Sequence, residues 1–75
     1  MSEDISDLDR QILVVIAKDS HRPSAITRIL KTRRVECTHN EVVAALNALE
    51  RDGLVERFTS KAWIATPRAE SYIEE

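Results

Sequence analysis

The sequence predicts a mostly α-helical domain with a small β-hairpin, in the order helix, helix, helix, hairpin, helix. Apolar residues recur at helical spacing in three successive segments. Two short strand-like runs follow the single glycine, Gly53, and the pair Thr66-Pro67 then restarts a helix. The 75 residues leave room for one domain, predicted to span 1–75 with 1–5 disordered.

Helix 1 is predicted to begin at Ser6 and to end around 19–22. Serine is a good N-cap, and two aspartates follow in the first turn, where the helix dipole favours acids. Leu13 and Val14 fall outside the apolar face, so they are predicted to be left over once the core is filled. The apolar face itself consists of Ile5, Leu8, Ile12, Val15 and Ile16.

Helices 2 and 3 have local start and stop signals. Pro23 suits the first position of helix 2, or a place just before Ser24 as the cap of that helix. Helix 2 is predicted to end near Lys31 and to be followed by an extended turn. Thr38 and Glu41 have the spacing of a capping box at the start of helix 3, and Gly53 ends that helix. The predicted buried residues are Ile26, Ile29 and Leu30 in helix 2, and Val42, Ala45, Leu46 and Leu49 in helix 3.

The hairpin is predicted from strands at 54–58 and 62–65 with a turn between them. Phe58 and Trp63 flank that turn. Aromatic side chains can stack on bases, but in a domain this small both are predicted to close the core beneath the hairpin. Thr66 is then predicted to cap a last helix with a sparse apolar side, formed by Ala69, Tyr72 and Ile73.

Three helices followed by a hairpin form the arrangement of a winged helix-turn-helix domain, here with an added C-terminal helix. The stretch from Leu46 through Gly53 to Arg57 resembles the junction of third helix and wing in MarR-like and PadR-like transcription regulators. The stretch 66–69 resembles their segment after the wing, with Ala69 where those families usually have glycine. The resemblance implies that the helix at about 38–52 enters the major groove of DNA and that the wing tip at 59–61 lies on the backbone.

The outward residues of helix 3 are the candidates for reading bases. Asparagine can pair with the edge of adenine, and small apolar side chains can rest on a thymine methyl group. Glu41 is read as a cap rather than as a base contact. The alternative for the whole set is an ordinary solvent-facing surface. The predicted base-facing residues are Asn40, Val43, Ala44 and Asn47.

The net charge of −2 argues against nucleic-acid binding, but the charge is unevenly distributed. Residues 18–37 hold six basic and two acidic side chains, which is either a phosphate-binding surface or merely a solvated face. Arg33 and Arg34, in an unusually long turn before helix 3, are the strongest candidates. The acids Glu50, Asp52 and Glu56 near the far end of that helix limit how it can dock. The predicted backbone contacts are Arg28, Lys31, Arg33, Arg34, His39, Arg51 and Lys61.

Other classes of function have little support in the sequence. Cys37 and His39 form a C-x-H pair, but only His21 is left to extend it, so no metal site is predicted and Cys37 is read as structural rather than redox-active. No phosphate-binding glycine loop or nucleophile motif is present, so neither an enzyme, a cofactor nor a small-molecule ligand is predicted. The acidic N-terminus and the lack of an apolar run of roughly 20 residues predict a cytoplasmic protein without a membrane partner.

The chain is predicted to act as a homodimer that reads two half-sites about one helical turn apart. Helix 1 and the last helix would form the interface through Leu13, Val14, Tyr72 and Ile73. A winged helix used as a protein-interaction module without DNA binding is the main alternative. The acidic net charge, the apolar Val43 and Ala44, and a weakly basic wing favour it. RNA binding and a purely structural role are further alternatives.

Overall fold

The computed structural model describes residues 5–17 and 19–73. Over these residues the chain forms four α-helices, one short 3-10 helix and a two-stranded antiparallel hairpin, which confirms the mostly helical class with a small hairpin. The elements are α1 (Asp7–Val15), α2 (Pro23–Thr32), α3 (His39–Arg51), β1 (Val55–Arg57), β2 (Trp63–Ala65), the 3-10 helix (Pro67–Ala69) and α4 (Glu70–Ile73).

Helix α1 begins where predicted, because the side-chain oxygen of Ser6 accepts a hydrogen bond of 3.1 Å from the backbone N–H of Asp9. It ends at Val15, well before the predicted end. The reason is a long-range pairing. The backbone of His21 donates to Trp63 at 3.0 Å and accepts from Trp63 at 2.9 Å, so the chain must leave the helix early to run beside the hairpin.

The start of α3 confirms the predicted capping box. The backbone N–H of Glu41 donates to the hydroxyl oxygen of Thr38 at 3.1 Å, and the Glu41 carboxylate accepts from the backbone N–H of Thr38 at 3.0 Å. Pro23 occupies the first turn of α2, also as predicted. The first residues of α2 and α3 are therefore set by local signals.

Helices α2 and α3 end in the same type of cap, which needs one residue in the left-handed conformation. After α3 that residue is Gly53, with φ of 80°, and after α2 it is Arg34, with φ of 66°. In both caps this residue and the next one donate to carbonyls of the last helical turn. Glycine adopts the conformation freely, whereas an arginine there costs about 1 kcal/mol.

One hydrophobic cluster unites the helices and the hairpin. Leu13 is fully buried in it, so the prediction that Leu13 lies outside the core and is left over is wrong. The reason is that α1 contacts α2, α3 and α4. These three neighbours cover more of the surface of α1 than the single apolar face predicted from the sequence. Val14 points outward as predicted and is 36% exposed. The buried cluster contains Ile12, Leu13, Ile16, Ile26, Leu30, Cys37, Val42, Leu46, Leu49, Leu54, Val55, Trp63 and Ala69.

The N-terminal end of the described chain also packs on this core. Ile5, the last residue of the segment predicted to be disordered, lies half-buried against the cluster. The rest of the segment predicted to be disordered, residues 1–4, falls outside the described residues.

The hairpin is shorter than predicted, and its two aromatic residues behave differently. Trp63 is 7% exposed and closes the core as predicted, but Phe58 is 62% exposed, so its predicted burial is wrong. Phe58 follows the end of β1, one residue after Arg57, whose guanidinium covers the Trp63 ring. Alternation along the strand therefore directs Phe58 to the opposite face.

The segment after the hairpin is anchored differently from the prediction. Thr66 makes no side-chain cap to the following helix. Its hydroxyl instead donates to the carbonyl of Gly53 at 2.7 Å, which ties this segment to the end of α3. The short helix α4 then packs on α1 within the same chain.

This packing changes the predicted dimer surface. Leu13 is buried in its own domain, so its assignment to a contact with a second copy is wrong. Tyr72 and Ile73 are half-buried against the core of the same chain. Of the four predicted interface residues, Val14 is therefore exposed, and Tyr72 and Ile73 each expose only part of the side chain. None of the helices in 5–17 and 19–73 has the length and apolar character needed to cross a membrane.

Candidate nucleic-acid interface

A groove with basic walls lies between the hairpin and the N-terminal ends of α2 and α3. Its volume is about 310 Å³, roughly ten times the space that one water molecule occupies in the liquid. No carboxylate is among the described residues that line it. We call it the hairpin groove, and it is lined by Arg22, Pro23, Ser24, His39, Arg57, Ser60, Lys61 and Trp63.

The walls of the hairpin groove are held in place by specific contacts. The guanidinium carbon of Arg57 lies 5.0 Å from the centre of the Trp63 ring, and Trp63 is itself fixed in the core. The hydroxyl oxygen of Thr59 accepts hydrogen bonds from the backbone N–H of Lys61 (3.2 Å) and of Ala62 (3.1 Å). These two hydrogen bonds close the turn and set the position from which Lys61 extends.

Two further depressions continue the basic surface along α2. The first shares Ser24 with the hairpin groove and is also lined by Arg28 and Lys31. The second shares Lys31 with the first and extends to Arg34 beyond the end of α2. Glu36 is the one carboxylate among the described residues that line the three depressions. We call the exposed cations on this continuous surface the basic strip: Arg22, Arg28, Lys31, Arg34, Arg57 and Lys61.

The predicted turn arginines are exposed but lie apart from the hairpin groove. Arg33 is the C-cap of α2 and Arg34 follows it, whereas the groove is at the other end of that helix. The two ends of α2 are separated by about 14 Å at the helical rise per residue. Arg34 lines the surface at this end, and Arg33 lies exposed beside it.

The exposed face of α3 starts at the hairpin groove. His39, the first residue of α3, lines the groove, and Asn40, Ala44 and Asn47 follow on one exposed face at spacings of four and three residues. Val43 is half-buried, so it offers less surface than predicted. The two asparagines and Ala44 are thus exposed on one face of the helix whose first residue, His39, lines the hairpin groove.

The opposite end of α3 is acidic. Burial raises the pKa of the Asp9 carboxyl above its ordinary value and the nearby charge of Asp52 adds to this rise, while hydrogen bonds with Ser6 lower it in part. Asp52 is the C-cap of α3, so the acids of α1 and α3 meet there. Because its pKa is raised, the ionised Asp9 costs stability at neutral pH, and protonation recovers this as the pH falls through that pKa.

This arrangement moves the charges of Asp9 and Asp52 away from the hairpin groove, whereas Glu41 lies in the first turn of α3 and Glu56 precedes Arg57 in β1. The two ends of α3 are about 18 Å apart, whereas screening in physiological salt acts over about 8 Å. The acidic end therefore has little effect on the potential at the hairpin groove. Arg51, a predicted backbone contact, is the last residue of α3, and the structure does not bring it to the groove.

The groove residues that the sequence analysis did not single out as contacts are Arg22, Ser24 and Arg57. Arg57 alternates with Glu56 along a strand, and Arg22 lies in an irregular segment of the basic stretch 18–37, so neither stands out from its neighbours. Their proximity depends on the pairing of His21 with Trp63, which brings the chain before α2 against the hairpin. The local signals were the position of Arg57 within a predicted strand and that of Arg22 within the basic stretch.

Metal binding has no geometric support in the described ranges. No group of three His, Cys, Asp or Glu side chains within them could hold a metal ion. Cys37 is buried in the hydrophobic cluster at 8% exposure, in accord with its interpretation as a structural residue.

Comparison of the chain with protein-family models and with curated proteins finds no match in either. The function is therefore argued from the fold and from the geometry of the basic strip and α3.

Proposed function

We propose that this chain is a sequence-specific transcription regulator of the cytoplasm that binds double-stranded DNA. In this proposal the domain is a winged helix-turn-helix similar to those of MarR-like and PadR-like regulators. Helix α3 enters the major groove, the hairpin tip at 59–61 lies on the sugar–phosphate backbone, and α2 faces the phosphates.

The observation that carries this proposal is the continuous basic strip, whose hairpin groove is bounded by His39 at the start of α3. Six cations line three adjoining depressions with a single carboxylate among the described lining residues. A duplex presents two rows of phosphates across a major groove about 12 Å wide. The basic surface extends about 14 Å along α2 alone, so it is long enough to meet phosphates on both sides of that groove.

The exposed asparagines supply the sequence-reading part of the proposal. Asn40 and Asn47 are on one face of α3, and an amide can make two hydrogen bonds to adenine in the major groove. Such a pair discriminates against the wrong base by about 1–3 kcal/mol, which corresponds to roughly 5- to 150-fold in affinity.

The test is to select a preferred duplex from a random pool and measure the affinities of Asn40→Ala and Asn47→Ala for it. We expect each variant to lose about tenfold or more in preference for the selected over the random duplex, at one base position. Affinity for the random duplex should hardly change. Glu50→Gln is the control, because Glu50 is exposed on the same helix near its acidic end. A preference that survives both asparagine substitutions would contradict base reading by α3.

A protein-interaction module is the second candidate, and one observation favours it. Phe58 is 62% exposed, and the half-buried Ala62 and Ile64 lie on the same strand pair. An exposed aromatic residue is typical of a surface that binds another protein. Weak retention of the chain on heparin at low salt, with no duplex binding, would favour this candidate.

We further propose that the regulator acts as a homodimer, which would present two copies of α3 to two half-sites. The exposed part of Val14 and the outer parts of Tyr72 and Ile73 are the apolar surface that α1 and α4 leave for a second copy. Leu13 has no part in this interface.

A further inference from the structure

We propose that the hairpin groove binds a single phosphate group of a nucleic-acid backbone, with Arg22, Arg57 and Lys61 as the cationic ligands. This inference rests on the proposed DNA binding and names a contact that the turn arginines do not make. Cations from two separate parts of the chain meet in the groove: Arg22 precedes α2, whereas Arg57 and Lys61 belong to the hairpin.

The chemistry of the groove matches a phosphate and not a cation or an apolar ligand. Three full positive charges line it, no carboxylate is among its described lining residues, and the hydroxyls of Ser24 and Ser60 add hydrogen-bond donors. His39 can donate a hydrogen bond from its ring whether or not it is protonated. Arginine is well suited to phosphate because its planar guanidinium can donate two parallel hydrogen bonds.

The arrangement is organised before any ligand arrives. Trp63 is buried and supports the Arg57 guanidinium at 5.0 Å from the ring centre. Thr59 fixes the turn that carries Lys61. Helices α2 and α3, of 10 and 13 residues, both begin at the groove, so their dipoles add to the positive potential there. Less conformational entropy is therefore lost when a phosphate binds.

The stacking of Arg57 on Trp63 also supplies a signal for occupancy. Trp63 is the single tryptophan of the chain, so its fluorescence reports on this groove. A phosphate that draws the Arg57 guanidinium toward itself should change the environment of the indole ring. Inorganic phosphate and a DNA duplex are the two probes, since they offer the same group from different sources.

The test compares the double variant Arg22→Gln/Arg57→Gln with the control Arg10→Gln/Arg68→Gln. Both remove two positive charges, but Arg10 and Arg68 are exposed outside the groove. We expect the groove variant to lose about tenfold or more in duplex affinity and to lower the slope of affinity against salt by about one unit. The control should keep the wild-type slope. Lys61→Gln leaves Arg57 stacked on Trp63 and should lower the slope similarly. This single variant provides the test if the double variant fails to fold.

The outcomes separate this inference from the proposed function. If the groove variant and Lys61→Gln both bind duplex with the affinity and salt slope of the wild type, the phosphate site is overturned and DNA binding stays in place. If the wild-type chain binds no duplex, the proposed function fails, and the site is judged on inorganic phosphate. A saturable change in Trp63 fluorescence that Arg57→Lys retains and Lys61→Gln weakens then supports it, whereas no change overturns it.

Discussion

Leu13→Ala is expected to lower the free energy of unfolding by about 2–5 kcal/mol. Leu13 is fully buried among residues of the one core, so truncation removes apolar contacts and leaves a cavity. A domain of 75 residues has a total stability of only about 4–11 kcal/mol. The substitution therefore removes a large fraction of that stability and leaves part of the population unfolded at physiological temperature.

Val14→Ala is the matched control, because the neighbouring valine is 36% exposed and points away from the core. Its expected cost is below about 1 kcal/mol. Urea denaturation followed by far-UV circular dichroism measures both variants. Equal stabilities for Leu13→Ala and Val14→Ala would contradict the placement of Leu13. A dependence of the unfolding midpoint on chain concentration would support the proposed dimer, and its absence would remove the dimer.

Neutralising the two turn arginines is expected to have the second large effect. The double variant Arg33→Gln/Arg34→Gln should lower the slope of affinity against salt by about two units, one for each lost phosphate contact. Both side chains are exposed at the end of α2 remote from the hairpin groove. They would therefore meet a different stretch of backbone. Affinity for random and selected duplexes should fall together, because phosphate contacts carry no sequence information.

The unusual backbone of Arg34 provides a way to separate binding from folding. Arg34→Gln keeps a side chain at the residue with the left-handed backbone conformation. Arg34→Gly removes the cost of about 1 kcal/mol that a side chain has in this conformation, so it should stabilise the fold. The glycine variant should thus be more stable and yet bind duplex more weakly. The double variant Arg10→Gln/Arg68→Gln again controls for net charge. If the salt slope of the turn variant equals that of the wild type, the turn does not contact phosphates.

Elements with local signals were predictable from the sequence. The capping box of Thr38 and Glu41, Pro23 at the start of α2 and Gly53 at the end of α3 each act within one helical turn, so neighbouring residues suffice to identify them. The same holds for the exposed positions of Asn40 and Asn47, which follow from helical periodicity once the start of α3 is known.

Features that depend on distant parts of the chain were not predictable in this way. The early end of α1 follows from the pairing of His21 with Trp63, and the burial of Leu13 follows from how many elements surround α1. The hairpin groove has the same origin, because Arg22 and Arg57 are separated in sequence and meet through that pairing. Phe58 was misplaced because alternation along the strand directs it to the face opposite Arg57 and Trp63.

The most direct test of the central claim, that the basic strip and the exposed face of α3 bind duplex DNA, is an NMR titration of the backbone amides. The chain is titrated at low salt with a duplex two helical turns long. The account predicts changes concentrated at 22–24, 28–34, 39–47 and 57–61, with little change around Asp9, Asp52 and α4. An unchanged spectrum at equimolar duplex, or changes confined to α1 and α4, would contradict it.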